Sequence, residues 1–193
     1  GETNSRRNVN QSSDGKNVLT GFGQEPPDSL AMNYQVEREL INLLLEGNKK
    51  LVELINRYIV SDEYLFEPHR HLAEIIVNKF NEGESIQAAS ILEKIEDESL
   101  RGYLLEVTFE KYSISKYWEE MRQNEESETL LIKTAIDTIQ KFKFMEIDRR
   151  IEDNHRQIKE TTDELHQLEL LKLNRELEQE KSSIGRDLSA QKI

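Results

Sequence analysis

The sequence predicts an all-α protein, in which a compact bundle of five to six short helices is followed by a long helix and a C-terminal antiparallel helical hairpin. Two observations predict this class. Charged residues make up 33% and hydrophobic residues 36% of the 193 residues, a balance typical of helices with exposed charged faces. Apolar residues also recur at intervals of three and four, the period of a helix that buries one face.

The first 32 residues differ from the rest of the chain in composition. They are rich in Asn, Ser, Gly and Gln, they contain two of the three prolines, and their apolar residues follow no helical period. Such a segment has too little apolar surface to offset the entropy lost on folding. We therefore predict that residues 1–32 form a flexible polar linker.

The bundle is predicted to span residues 33–142. Asn33 is a plausible N-cap for its first helix, and Gly47 stands where a C-terminal glycine belongs. A second helix follows almost at once, so the two helices are expected to pack antiparallel. Their buried stripes are predicted to be Val36, Leu40, Leu43 and Leu44, then Leu51, Val52, Ile55 and Ile59.

Similar start and stop signals define the other predicted helices of the bundle. Pro68 suits the first turn of a third helix and Gly83 its end. Ser85 is a predicted cap for a short fourth helix. A fifth helix should bury Leu100, Leu104, Val107 and either Phe109 or Tyr112, and the segment "ISKYWEEMRQ" is predicted to form a further short helix.

The hairpin is predicted to span residues 143–193, with a short tail. Thr161 followed by Glu164 fits a capping box, so a turn is expected there. Pairing Ile158 with Leu165 would then fold the last helix back on the long one. The sequence leaves open whether the long helix from Glu125 is continuous and whether the last helix ends near Lys181 or extends to Leu188.

Leucines crowd the last helix in the segment "LELLKLNRELEQEK". At about 100° per residue, Leu170, Leu173 and Leu177 fall on one face, which is the predicted seam of the hairpin. Leu168 and Leu171 fall on nearly the opposite face, in line with Arg175. These outward leucines are expected either to dock a partner or to pack on the bundle.

Charge and composition limit the functions that the chain can have. A formal charge of −12 argues against direct nucleic-acid binding, which depends on neutralising phosphates with Lys and Arg. There is no cysteine, in keeping with a cytoplasmic location, and no apolar run reaches the roughly 18 residues that a membrane span needs. A protein partner is the better expectation.

Catalytic and cofactor-binding signatures are absent from the sequence. No glycine-rich phosphate loop occurs. The one tempting metal cluster is His69, His71 and Glu74, which offers too few helix-sharing ligands for zinc, so we interpret it as structural. We expect no catalytic residue, no cofactor and no metal.

Two segments resemble a known family. "ERELINLLLEGN" and "YLFEPHRHLAEIIVNKFNEGESIQAASILEKIED" are similar to a helical domain shared by the C-terminal end of bacterial DnaG-type primases and the N-terminal end of DnaB-type replicative helicases. The ending resembles the E-L-x-x-L-N-x-E-L close of many primases, which favours the first of these. That motif is matched by Glu169, Leu170, Leu173, Asn174, Glu176 and Leu177.

The resemblance implies a docking module. In the family, this domain tethers the primer-synthesising enzyme to the hexameric helicase, and its hairpin supplies most of the contact. It implies a non-catalytic primase fragment that is a monomer alone. The partner-binding residues expected on the hairpin are Leu168, Leu171, Arg175, Leu170, Leu173, Asn174, Glu176 and Leu177. The alternative is the N-terminal collar domain of a DnaB-type helicase, which self-associates and binds primase.

Overall fold

A computed structural model describes the backbone of residues 26–119 and 125–191, and the side chains of residues 26–109 and 128–191. The described part is all-α, as the sequence predicts. A 3-10 turn at Asp28–Leu30 comes first, and a second lies at Ser61–Glu63. The α-helices are α1 (Ala31–Leu44), α2 (Lys49–Tyr58), α3 (Glu67–Asn81), α4 (Ala88–Leu92), α5 (Glu98–Glu119), α6 (Glu125–Glu160) and α7 (Glu164–Ala190).

Helix α1 is central to the bundle. It packs on α2, α3, α5 and α6, and its inner face is removed from solvent almost completely. Burial of its apolar stripe stabilises the bundle by about 25 cal/mol for each Å² of apolar surface removed from water. The fully buried large side chains of the bundle core are Leu40, Ile41, Leu44, Leu51, Ile55, Leu72, Ile76, Ile91, Leu104, Ile136 and Ile139.

A buried polar network fixes α3 against α1 and α5. The Glu37 carboxylate accepts hydrogen bonds from the backbone N–H groups of Leu65 (2.7 Å) and Phe66 (3.2 Å), just before α3. It also accepts from His69 Nδ1 at 2.8 Å, and the Tyr103 hydroxyl donates to His69 Nε2 at 2.6 Å. Glu37 thereby satisfies backbone donors that the start of a helix leaves free.

The network accounts for the histidine of the suspected metal cluster. His69 is fully buried and both its ring nitrogens are occupied by Glu37 and Tyr103. Burial lowers the pKa of His69 below its ordinary value, against the opposing effect of Glu37. A neutral imidazole matches both bonds, because it donates from one nitrogen and accepts at the other.

Several predicted helix boundaries are confirmed and several are wrong. Gly47 and Gly83 adopt positive φ angles of 67° and 72° at the ends of α1 and α3, and Pro68 lies in the first turn of α3. Asn33, however, lies inside α1, which begins at Ala31, because the preceding 3-10 turn leads directly into the helix. Ser85 is not the cap of α4, whose N-cap is Gln87.

Helix α5 also departs from expectation. It runs without interruption to Glu119, so the segment from Ile114 continues α5 and does not form a separate helix. Phe109 is 69% exposed and not inward, because it lies on the face opposite Leu104 and Val107. The predicted positions of Met121 and of the side chains of Tyr112, Tyr117 and Trp118 lie outside the described residues.

Helix α6 is continuous over 36 residues, about 54 Å at 1.5 Å per residue. Its first half lies in the bundle core through Ala135, Ile136, Ile139 and Phe142. The predicted boundary at residue 142/143 thus falls inside one uninterrupted helix. The second half of α6 leaves that core and pairs with α7.

Helix α7 returns from the turn to the bundle. It extends past Leu188 to Ala190, and Leu188 is fully buried in the same core as Ile136. The side-chain amide of Gln191 also donates to the Tyr58 hydroxyl of α2. The hairpin is consequently anchored to the bundle at its base by both of its helices.

Candidate partner-binding surface

The turn of the hairpin lies where the sequence predicts it, but its cap differs. Asp163, not Thr161, caps α7, accepting from the backbone N–H groups of Leu165 at 2.9 Å and His166 at 3.4 Å. The Gln167 side-chain amide donates to the carbonyls of Ile158 and Thr161 and closes the end of α6. Thr161 accepts from the Asp163 N–H within the turn, so no capping box with Glu164 forms.

We define the arm as residues 148–181, the part of the hairpin beyond the ion pair between Asp148 and Lys181. The described side chains that are buried inside it are Asn154, Leu170, Asn174 and Leu177. All of them lie in the seam between α6 and α7. Within the described part of the chain, the arm therefore buries its side chains in its own seam.

The seam contains one polar pair. Asn154 Nδ2 donates to Asn174 Oδ1 at 2.7 Å, and Asn174 Nδ2 is buried without a hydrogen-bond partner. An amide pair in an apolar seam costs stability but favours one register of the two helices. Asn154 opposite Asn174 sets that register here.

This register corrects the predicted pairing of Ile158 with Leu165. Leu165 is 73% exposed and does not lie in the seam. Its exposure follows from the helical period, because Leu165 lies about 140° around α7 from the seam residue Leu170. The residue that reaches the seam from this end of α7 is Leu170.

Three of the residues predicted to bind a partner lie in the seam. Leu170, Asn174 and Leu177 are buried between the two helices, so a partner would reach them only if the hairpin opened. Leu173 is 37% exposed and flanks the seam, where it was predicted to be buried. Glu176 is exposed on α7.

The remaining predicted residues lie on the outward side of α7. Leu168 is 53% and Leu171 50% exposed, and Arg175 is exposed in line with them. At about 100° per residue, Leu165 and Lys172 fall within the same outward arc. We call these five residues the outer face: Leu165, Leu168, Leu171, Lys172 and Arg175.

Sequence reasoning missed two members of the outer face, Leu165 and Lys172. The signal for Lys172 was present in the sequence, since positions 168, 171, 172 and 175 have the i, i+3, i+4, i+7 spacing of one helix face. Leu165 was assigned to the seam by the predicted register of the hairpin. The helical period alone places Leu165 on the side of Leu168 and Lys172.

Some charges of the arm form local pairs. Arg149 and Arg156 both pair with Asp153, at 3.8 and 2.7 Å, and His166 lies 3.8 Å from Glu169. Pairs as exposed as these contribute little to stability. Within the described side chains, Lys172 and Arg175 form no ion pair or hydrogen bond, so the outer face combines exposed leucines with two cations that are free to pair with another molecule.

The described residues offer little for other kinds of site. Among them, no group of three His, Asp or Glu side chains is placed to hold a metal ion. No helix in this part of the chain combines the length and hydropathy that crossing a membrane requires. The outer face, in contrast, groups three exposed leucines on one side of a helix.

A family model described as "Domain of unknown function (DUF8430)" matches residues 24–190 of the chain. The match covers the bundle and the hairpin together. No curated protein and no solved structure matches the chain.

Proposed function

We propose that this chain, which belongs to the DUF8430 family, is the helicase-interaction domain of a bacterial DNA primase. In this role it docks the RNA-primer-synthesising enzyme onto a DnaB-type hexameric helicase during DNA replication. The domain works in the cytoplasm, is a monomer alone, and acts by binding rather than by catalysis. The observation that carries the proposal is the exposed leucine stripe of α7, held on an arm outside the bundle.

The energetics of the outer face support a docking role. Leu168 and Leu171 are half exposed in the free chain, although each would contribute roughly 1.5–3 kcal/mol if fully buried. Two or three such residues at the centre of an interface are enough to dominate its affinity. Within the described residues, packing leaves about half of each of these two side chains exposed.

The architecture supports the same role. The arm is tied to the bundle at its base by Leu188 in the core and by the bond of Gln191 to Tyr58. A partner that binds α7 is therefore connected to the bundle through the base of the arm. The resemblance of the last helix to the close of DnaG-type primases points to a helicase as that partner.

A second candidate is the collar domain of a DnaB-type helicase, which self-associates. Leu105 and Phe109 favour it, because they form an exposed apolar pair on α5, at 42% and 69% exposure. This pair lies on the bundle and not on the arm. The two candidates therefore predict that different surfaces are covered.

The test is native mass spectrometry of the chain alone and mixed with the DnaB-type helicase of the same organism. We expect a monomer that adds to the helicase hexamer. Replacing both Leu168 and Leu171 by Asp should weaken binding by about tenfold or more, equivalent to about 1.4 kcal/mol, with unchanged helix content. Loss of helix content in this variant would show that the two leucines are core residues.

The matched control is a variant with Met32→Asp and Val60→Asp, two exposed apolar residues of the bundle at 70% and 60% exposure. It changes the net charge by the same amount and should leave helicase binding intact. A chain that assembles with itself through Phe109, and does not bind the helicase, would replace the primase proposal with the collar domain.

A further inference from the structure

We infer that the outer face binds in an apolar groove of the helicase, and that the rim of this groove carries carboxylates opposite Lys172 and Arg175. This inference deepens the proposed function and rests on it, since it names the chemistry of the helicase surface that the arm contacts. It is carried by the arrangement of leucines and cations on α7.

The outer face has the form of a helix that binds in a groove. Leu168 and Leu171 are separated by one turn, and Lys172 and Arg175 continue the same face toward the C-terminus. Helices that dock in this way present anchors at i, i+3, i+4 and i+7. The two leucines fill the floor of the groove, and the aliphatic stems of the two cations extend the apolar contact.

Lys172 and Arg175, like Arg150 and Lys159, form no ion pair within the described side chains, but they lie beside the exposed leucines of α7. Lys181 pairs with Asp148 and Arg156 pairs with Asp153, so these two cations have carboxylate partners within the chain. For Lys172 and Arg175 the described side chains provide no such carboxylate. When the leucines beside them are covered, both cations lose water, and burying a charge without a partner is costly. The groove must then supply the carboxylates.

The charge around the outer face makes an extended polyanion a poor occupant. Glu164 and Glu178 lie on the same arc of α7, one at each end of the leucines and cations. The chain as a whole carries −12. A membrane surface or a nucleic acid would meet both glutamates together with the cations. Carboxylates confined to the rim opposite Lys172 and Arg175 meet only the cations.

The experiment measures the Kd of the chain for the DnaB-type helicase at low and at high salt. The test variant carries Lys172→Glu and Arg175→Glu. The control carries Arg150→Glu and Lys159→Glu, which reverses two exposed cations of α6 in the same arm. We expect the test variant to raise Kd by about tenfold or more and to lose most of the salt dependence, while the control changes Kd by less than about threefold.

The outcomes separate this inference from the proposed function. If binding needs Leu168 and Leu171 but is unaffected by reversal at Lys172 and Arg175, the carboxylate rim is wrong and the helicase proposal stands. If the wild-type chain does not bind the helicase, the proposed function is wrong and the inference falls with it. Circular dichroism of each variant checks that α7 remains helical.

Two further probes test phosphate as the ligand of the cations. They are vesicles of phosphatidylcholine with phosphatidylglycerol, and a single-stranded DNA oligonucleotide. Binding of either by the wild-type chain that is lost on reversal of Lys172 and Arg175 would overturn the inference in favour of a phosphate surface. Absence of such binding, together with the expected salt dependence toward the helicase, supports the groove with a carboxylate rim.

Discussion

The bundle and the arm are stabilised in different ways. The bundle core buries large aliphatic side chains from all seven described α-helices, so each of them is supported from several directions. The arm has two helices and a single seam, in which Leu170 and Leu177 alternate with a buried asparagine pair. Two helices bury too little to be stable alone, and the arm depends on its base.

This difference explains where a binding surface can exist. A helix inside the bundle has neighbours on most of its faces, whereas, among the described residues, α7 in the arm packs against α6. Its remaining faces are available, and one of them carries Leu165, Leu168 and Leu171 at high exposure. Sparse packing weakens the arm and leaves its outer face for a partner. Three changes test how far this contrast holds.

The largest effect is expected from equal truncations in the two regions. Leu104 in the bundle and Leu177 in the arm are both buried, at 0% and 2% exposure. Leu104→Ala should lower the free energy of unfolding by about 2–5 kcal/mol, because it leaves a cavity that the core cannot fill. Leu177→Ala should cost less in global unfolding, because the arm opens locally before the bundle unfolds.

Urea unfolding measures the global loss, and hydrogen exchange read by mass spectrometry reports protection of each region. Leu177→Ala should reduce protection of residues 148–181 while that of α1 is maintained. Equal losses of global stability, with uniform loss of protection, would mean that the bundle and the arm unfold as one unit.

A smaller effect is expected at the asparagine pair. Asn174→Leu removes the acceptor of Asn154 and leaves a buried donor unpaired, which should destabilise the arm by about 1–3 kcal/mol. Replacing both Asn154 and Asn174 by Leu should recover this loss or exceed it, since a well-packed apolar pair has no unpaired donor. Hydrogen exchange of the arm measures both variants.

The double variant should also loosen the register of the hairpin. The chain has no cysteine, so a short bis-maleimide that links Asp148→Cys to Lys181→Cys provides a specific reporter. We expect slower or less complete cross-linking once both asparagines are leucine. Unchanged cross-linking would assign the register to the turn and the base alone.

The smallest effect concerns pH and should be confined to the bundle. Burial holds the pKa of His69 below its ordinary value, so at pH below about 6.5 the unfolded chain binds a proton that the folded chain does not. The free energy of unfolding should therefore fall as the pH drops below about 6.5, by up to about 1.4 kcal/mol per pH unit, until the folded pKa is reached.

Urea unfolding over this pH range measures the slope. His69→Gln should remove the contribution of that residue, whereas His71→Gln, on the same helix, should retain it. The arm contains two exposed histidines, His155 and His166, and a variant with both replaced by Gln should keep the wild-type slope. If replacing His155 and His166 reduces the slope and replacing His69 does not, the pH dependence comes from the arm and the prediction is wrong.

Local patterns in the sequence were sufficient for much of this molecule. Left-handed glycines at 47 and 83 and the proline at 68 marked helix ends correctly, because these residues act through their own backbone geometry. The outward position of Leu168 and Leu171 also followed from helical period alone. The predicted cap was wrong where several neighbouring residues can each cap a helix. In α7 the N-cap is Asp163 and not Thr161.

The sequence by itself determined the all-α class, the turn near residue 162 and the outward direction of two leucines, because period and backbone preference are local properties. Only the tertiary structure decided the rest. Glu37 meets His69 across 32 positions of the chain, Asn154 meets Asn174 across a turn, and Leu188 returns to the core with Ile136. Such contacts depend on how the helices pack against each other, which the spacing of residues within one helix does not predict.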